Sequence, residues 1–118
     1  MPRRDSELVI LRVAMLAHSD YELAHHRRLA RRVGVSEAEL ERVAEGPEAP
    51  GWSERERLLL RATDELCELH DVTDETWAEL SRQLDERRLI ELLLLVGHYR
   101  MLATTLRALR IRPDRRRR

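Results

Sequence analysis

The chain has 118 residues, the length of one small domain with a modest core. Its composition is 42% apolar, 37% charged and 3% aromatic, and it is rich in Leu, Ala, Glu and Arg, which favours amphipathic helices over strands. The 22 basic residues are all Arg and balance 22 acidic residues, so no overall field for a polyanion such as nucleic acid is expected.

The single cysteine, Cys67, cannot form an internal disulfide, and no signal region or apolar stretch of about eighteen residues is evident. We therefore expect a soluble, cytoplasmic protein with no membrane contact. The Arg-rich end predicts a solvated tail at residues 112–118, outside a helical domain of residues 1–111. Contact of this tail with nucleic acid is an alternative that we do not favour.

The first predicted helix covers residues 7–17 and is almost wholly apolar, which is typical of a helix buried on most sides. Asp5 or Ser6 can be its N-cap. A second helix is predicted at residues 21–33, with most of its arginines facing outward, and Gly34 ends it.

Two capping boxes mark the middle of the chain. Ser36 with Glu39 begins a short third helix, and Ser53 with Glu56 begins a fourth that runs to about residue 70. A fifth helix begins near residue 73, and a sixth covers about residues 86–110. The apolar run in the sixth helix suits a core helix covered on both sides, for which an oligomer interface would supply the second cover. The sequence thus predicts an all-α domain of about six helices.

The densest titratable cluster lies in the first two helices. Glu22 and His26 are four residues apart and share a helical face, where a carboxylate can orient an imidazole, although ordinary surface salt bridges have the same spacing. Glu7 opens an apolar helix. It can be an acid/base group or a first-turn acid favoured by the helix dipole.

Residues 6–34, S-E-L-V-I-L-R-V-A-M-L-A-H-S-D-Y-E-L-A-H-H-R-R-L-A-R-R-V-G, resemble the core motif of the carboxymuconolactone decarboxylase and alkyl hydroperoxidase D superfamily. The likeness continues over most of the chain, by pattern rather than by a signature peptide. It implies an alkyl hydroperoxidase D-like helical domain.

In the peroxidase branch of this superfamily, a Glu is followed twelve residues later by a C-x-x-C pair and then by a His. Here those places hold Glu7, Ser19, Glu22 and His26. Without a thiolate there is no peroxide-reducing nucleophile, so disulfide-based peroxidase chemistry is not expected. Cys67 lies inside an amphipathic helix, where we expect a small apolar filler.

The decarboxylase branch implies a lyase-type acid/base reaction on a small organic acid or lactone, with no metal or organic cofactor. In such a reaction His26 moves a proton with help from Glu7 or Glu22. Glu7 and His26 are therefore the predicted catalytic residues. Secondary pocket residues are Ser19, Tyr21, Glu22, His25, His98 and Tyr99, although a buried His98 or Tyr99 held by a backbone carbonyl is an alternative.

The resemblance also implies self-association, as a homotrimer or homohexamer with sites near the interfaces. Six residues precede Glu7, whereas relatives carry helices before this motif. We therefore expect a neighbouring subunit to close the pocket.

Two other interpretations compete with the acid/base site. His18, Glu22 and His26 recur every four residues and would converge on a metal ion if the helix were continuous, but Ser19 and Asp20 favour a break there. The other interpretation is a non-catalytic helical oligomer that serves as a scaffold or ligand-binding module.

Overall fold

A computed structural model describes residues 1–113, which form six α-helices and no strand. The prediction of an all-α domain with six helices is confirmed. Residues 114–118, the greater part of the predicted basic tail, lie outside the described residues. The helices are α1 (Arg3–Leu16), α2 (Asp20–Arg32), α3 (Glu37–Glu45), α4 (Glu54–Leu69), α5 (Asp74–Gln83) and α6 (Glu86–Ala108).

Helix α1 is the centre of the fold and packs against α2, α3, α4 and α6. One apolar cluster joins Leu8 and Leu11 of α1 to α2, α3 and Trp52. A second cluster joins Val9 and Val13 to α4, α5 and α6. The predicted burial of this helix on most sides is confirmed, because its apolar positions are divided between two clusters on different faces.

The helix starts follow local hydrogen bonding. Both predicted capping boxes form. The Ser36 and Ser53 side chains accept hydrogen bonds from the backbone N–H groups of Glu39 and Glu56, and each Glu carboxylate accepts one from the backbone N–H of its serine. Ser19 caps α2 by accepting from the Glu22 backbone N–H at 3.4 Å. The cap of α2 therefore fixes where Glu22 and its neighbours face.

The start of α1 differs from the prediction. The helix begins at Arg3 after Pro2, so the expected caps, Asp5 and Ser6, lie within it. Asp5 is buried and accepts a hydrogen bond from Arg55 Nε of α4 at 3.0 Å. Its carboxylate binds another helix and not the free N–H groups of its own, which is why the cap prediction was wrong.

Arg12 joins three helices. Its Nε donates to Asp64 Oδ1 of α4 at 2.7 Å, and its Nη1 donates to the carbonyl oxygens of Val43 and Ala44 at 2.9 and 3.0 Å. These carbonyls belong to the last turn of α3, where acceptors lack helical partners. Gly46 follows at φ +103°, and a Cβ there would lie 3.0 Å from Arg12 Nη2, so both backbone and space favour glycine.

Helix α6 exposes an apolar face. Three of its residues, Leu92, Val96 and Ala103, are buried, whereas Ile90 and Leu94 are at least half exposed. Contrary to expectation, the helix contains an 18-residue window of mean hydropathy 1.4, of which 17% is buried, so by length and composition it could cross a membrane. This is weak evidence, since core helices of soluble proteins pass the same test.

Arg4 connects α1 to both capping-box glutamates. Its guanidinium binds Glu39 and also donates from Nε to Glu56 Oε2 at 3.2 Å. The hydrogen bond from Arg4 lowers the pKa of Glu39 to about 2, against burial, which opposes the shift. A carboxyl with a lowered pKa stabilises the fold above its unfolded pKa and loses that contribution as the pH falls.

We predict that Arg4→Gln lowers the free energy of unfolding by about 1 kcal/mol at neutral pH, the upper end for a partly exposed pair. The deficit should shrink between the ordinary Glu pKa of 4.5 and about 2, because Glu39 becomes protonated in both proteins. Urea unfolding of the wild-type and Arg4→Gln proteins across this pH range measures the deficit. A deficit that is the same at neutral pH and at pH 2 would contradict the linkage.

Candidate functional site

The Glu7 and His26 side chains meet at the contact between α1 and α2. His26 Nδ1 lies 2.8 Å from Glu7 Oε1, and His26 Nε2 lies 3.1 Å from Glu22 Oε2. One imidazole is therefore bracketed by two carboxylates, one from each helix. The sequence analysis named these three residues, and the structure brings them together.

These three groups are shielded from solvent. The side chains of Glu7, His26 and Glu22 are 7%, 5% and 9% exposed. Glu7 lies among the apolar positions of α1, and Glu22 and His26 share the face of α2 that contacts α1, because they are four residues apart. A buried carboxylate is costly unless it is paired, and the imidazole supplies the partner.

The two contacts of His26 are unequal. The contact with Glu7 is a hydrogen bond, in which the carboxylate can only accept, so Nδ1 carries the proton when Glu7 is ionised. Glu22 Oε2 is close to Nε2, yet their alignment makes no hydrogen bond, and no other group among residues 1–113 donates to this buried oxygen. A buried polar atom without a protein partner is uncommon.

Tyr99 of α6 lies beside the imidazole. Its ring meets the His26 ring edge to face, with centroids 5.2 Å apart. Burial raises the pKa of Tyr99, and the carboxylates of Glu22 and Glu7 raise it further. The phenol therefore stays protonated at neutral pH and is available as a hydrogen-bond donor.

Among the other secondary residues, His25 is exposed and its ring centroid lies 5.0 Å from that of His26, whereas His98 is exposed and touches Tyr99 instead. Ser19 is buried as the cap of α2, and Tyr21 is 38% exposed. Of the six secondary residues, Glu22, His25 and Tyr99 thus adjoin His26 in contacts that the structure records.

The alternative metal site is not assembled. His18 lies in the turn between α1 and α2 at φ 55°, so it does not continue the helical face of Glu22 and His26. Within residues 1–113 no group of three or more His, Cys, Asp and Glu side chains is arranged to hold a metal ion.

The sequence profile of the carboxymuconolactone decarboxylase family matches residues 1–65, which include Glu7, Glu22 and His26. The chain belongs to this family. Its fold is also similar to the crystal structure of an Agrobacterium tumefaciens protein of unknown function, a proposed antioxidant defence protein AhpD, at 18% identity and a TM-score of 0.90. The similarity covers 97% of this chain and 80% of the other, and at this identity it shows the fold. No curated protein matches the chain.

In this carboxymuconolactone decarboxylase family member, Glu22 was predicted as a secondary pocket residue and as a possible partner of His26, and in the structure it lies against His26 opposite Glu7. The spacing of four residues between Glu22 and His26 was the signal for that contact. Burial of all three side chains was not predicted, because it depends on α6 and Tyr99 covering the two-helix contact.

We predict that Glu7→Ala lowers the free energy of unfolding by about 1 to 3 kcal/mol, because it leaves the buried Nδ1 of His26 without an acceptor. Glu37→Ala is the matched control, since it removes an exposed carboxylate paired with Arg31 and should cost less than about 1 kcal/mol. Urea unfolding at neutral pH compares the two. Equal losses would mean that burial adds nothing to the Glu7 pair.

Proposed function

We propose that this protein catalyses cofactor-free acid/base chemistry, a decarboxylation or proton transfer, on a small organic acid or lactone. The observation that supports it is the His26 imidazole held between Glu7 and Glu22, with contacts of 2.8 and 3.1 Å. Membership of the carboxymuconolactone decarboxylase family supports the same reaction class.

In the proposed reaction, Glu7 fixes and stabilises the ring and His26 moves the proton. With a proton on Nδ1 donated to Glu7, the neutral ring presents the lone pair of Nε2, which takes up a proton next to Glu22. During decarboxylation the C–C bond to the carboxylate breaks, carbon dioxide leaves, and the electron pair stays on the substrate as an enolate. His26 then gives its Nε2 proton to the substrate carbon, and solvent restores it.

A substrate must reach a buried imidazole, and Tyr99 is the half-buried side chain next to it. We infer that the Tyr99 side chain moves aside and that its protonated hydroxyl then donates to the substrate carboxylate or lactone carbonyl. Burial of the ring strengthens these contacts once the substrate has displaced water.

Self-association is the second part of the proposal, as a homotrimer or homohexamer in which a second copy covers α6. The apolar face of α6 carries exposed Leu94 and Met101 on either side of Gly97. Glycine costs about 1 kcal/mol in a helix relative to alanine, yet a Cβ there would meet nothing within 4 Å in this chain. A partner helix passing close to Gly97 accounts for the glycine at this position. Such a partner would also cover His98, which touches Tyr99.

A non-catalytic role as scaffold or ligand-binding module is the second candidate, and the near-complete burial of the three site side chains favours it. In that case the buried contacts of His26 with Glu7 and Glu22 serve the fold alone. The two candidates differ in whether His26 affects the chemistry of an added acid or only the stability of the protein.

The test of catalysis is a screen of small carboxylic acids and lactones by proton NMR in deuterated buffer, scoring decarboxylated product and deuterium uptake next to the carbonyl. We predict that His26→Gln lowers the rate by about a hundredfold or more, the usual contribution of a general acid or base. His18→Gln, which changes an exposed histidine in the α1–α2 turn, is the control and should keep the rate.

Circular dichroism confirms that both variants remain folded. Turnover that survives His26→Gln in a folded protein would remove His26 from the mechanism, and absence of turnover across the screen would favour the scaffold.

For the assembly, we predict that Leu94→Arg reduces the molar mass measured by light scattering from that of a trimer or hexamer to that of a monomer. Trp77→Arg is the control, because Trp77 is a large, 51% exposed residue on α5 and does not line the cavity at Leu94 and Gly97. A wild-type protein that is monomeric at micromolar concentration, or a Leu94→Arg protein of unchanged mass, would contradict the interface.

A further inference from the structure

A cavity of about 440 Å³ lies where the end of α1, the end of α6 and Cys67 of α4 meet. Its volume is within the range of small-molecule sites. Its lining residues do not include Glu7, Glu22 or His26, so the cavity is separate from the site described above.

Three arginines line this cavity, and each binds neutral acceptors. Arg100 Nη1 lies 3.0 Å from His70 Nδ1, Arg107 Nη1 donates to Ala17 O at 3.1 Å, and Arg110 Nη1 donates to Arg107 O at 3.2 Å. No carboxylate among residues 1–113 is within ion-pair distance of these guanidinium groups. Because each guanidinium has five donors, most of their hydrogen-bonding capacity is unused by these contacts.

Nearby acids do not neutralise this charge. Asp64, whose charge raises the pKa of Cys67, forms a salt bridge with Arg12. Asp20 lines an adjoining cavity of about 760 Å³, but that cavity shares Arg107 and Arg110 with the first and also contains Arg27 and Arg112. Positive charge is therefore concentrated at this end of a chain whose net charge is zero.

The lining also has an apolar wall, to which Val13, Leu16 and Ala108 contribute. A bare inorganic anion would leave this wall in contact with water. A carboxylate with a short hydrocarbon body binds the arginines with its charged group and covers the apolar wall with its hydrocarbon. Guanidinium groups bind carboxylates through two parallel hydrogen bonds. We propose that this cavity binds a small aliphatic carboxylate, with its head on Arg107 and Arg110 and its body against α1.

Cys67 makes the proposal measurable. It is the single cysteine of the chain, is partly buried and lines the cavity, so a bound ligand shields its thiol. Because burial raises the pKa of the Cys67 thiol, the experiment is done at mildly alkaline pH.

The experiment measures the rate of Cys67 alkylation by iodoacetamide, an uncharged reagent, in the presence of hexanoate. We expect saturable protection by hexanoate, little protection by its neutral amide, and weak protection by inorganic phosphate. Arg107→Gln combined with Arg110→Gln should raise the hexanoate concentration for half-protection by about tenfold or more, since two charge-assisted hydrogen bonds are lost. Arg28→Gln combined with Arg32→Gln, on the exposed surface of α2, should leave it unchanged.

Equal protection by hexanoate and hexanamide in the unaltered protein would overturn the charge recognition, whatever the variants do. Protection by phosphate as strong as that by hexanoate would overturn the role of the apolar wall. His26→Gln should leave Cys67 protection intact, which separates this site from the proposed acid/base site, and loss of protection in a folded His26→Gln protein would place the ligand at His26 instead.

Discussion

Burial of α1 on most of its sides is the constraint on which the rest of the structure depends. The helix carries two carboxylates into the interior, Asp5 and Glu7, and each must find a partner there. Asp5 is paired with Arg55, whose side chain is 51% exposed, so that pair retains contact with water. Glu7 is paired with His26, which is 5% exposed. The same requirement thus produces a partly solvated ion pair at one position and a buried hydrogen bond to an imidazole two residues later.

Arginine is the cation that the helices use to hold α1 against α3 and α4. Arg4 and Arg12 each reach two elements at once, since a planar guanidinium presents several donors in fixed directions. A lysine ammonium at either place would be a point charge with less directional contact. Arg107 and Arg110, at and just after the end of α6, have the same chemistry but face carbonyl oxygens and a cavity instead.

Much of the fold could be predicted from the sequence because its signals are local. The Ser36 and Ser53 capping boxes, the apolar run of α1 and the spacing of Glu22 and His26 all act within a few residues. The Asp5 pair with Arg55 was missed because its members are 50 positions apart. The Cys67 cavity was not predicted because three helices are needed to form it. Glu7 and His26 were predicted together because of the family resemblance. Their spacing in the sequence alone predicts no distance between them.

The contact of Glu7 with His26 spans 19 positions, and Glu22 lies four before His26. All three therefore belong to one helical hairpin, closed by the turn after α1. Closure of so short a segment costs little chain entropy and is fast, in contrast to the pairing of α1 with α6 across the whole chain. The hairpin is one local segment, residues 3–32, which precedes α6 in the chain. Tyr99 and the rest of α6 are distant in sequence, and they shield this local contact from solvent in the complete fold.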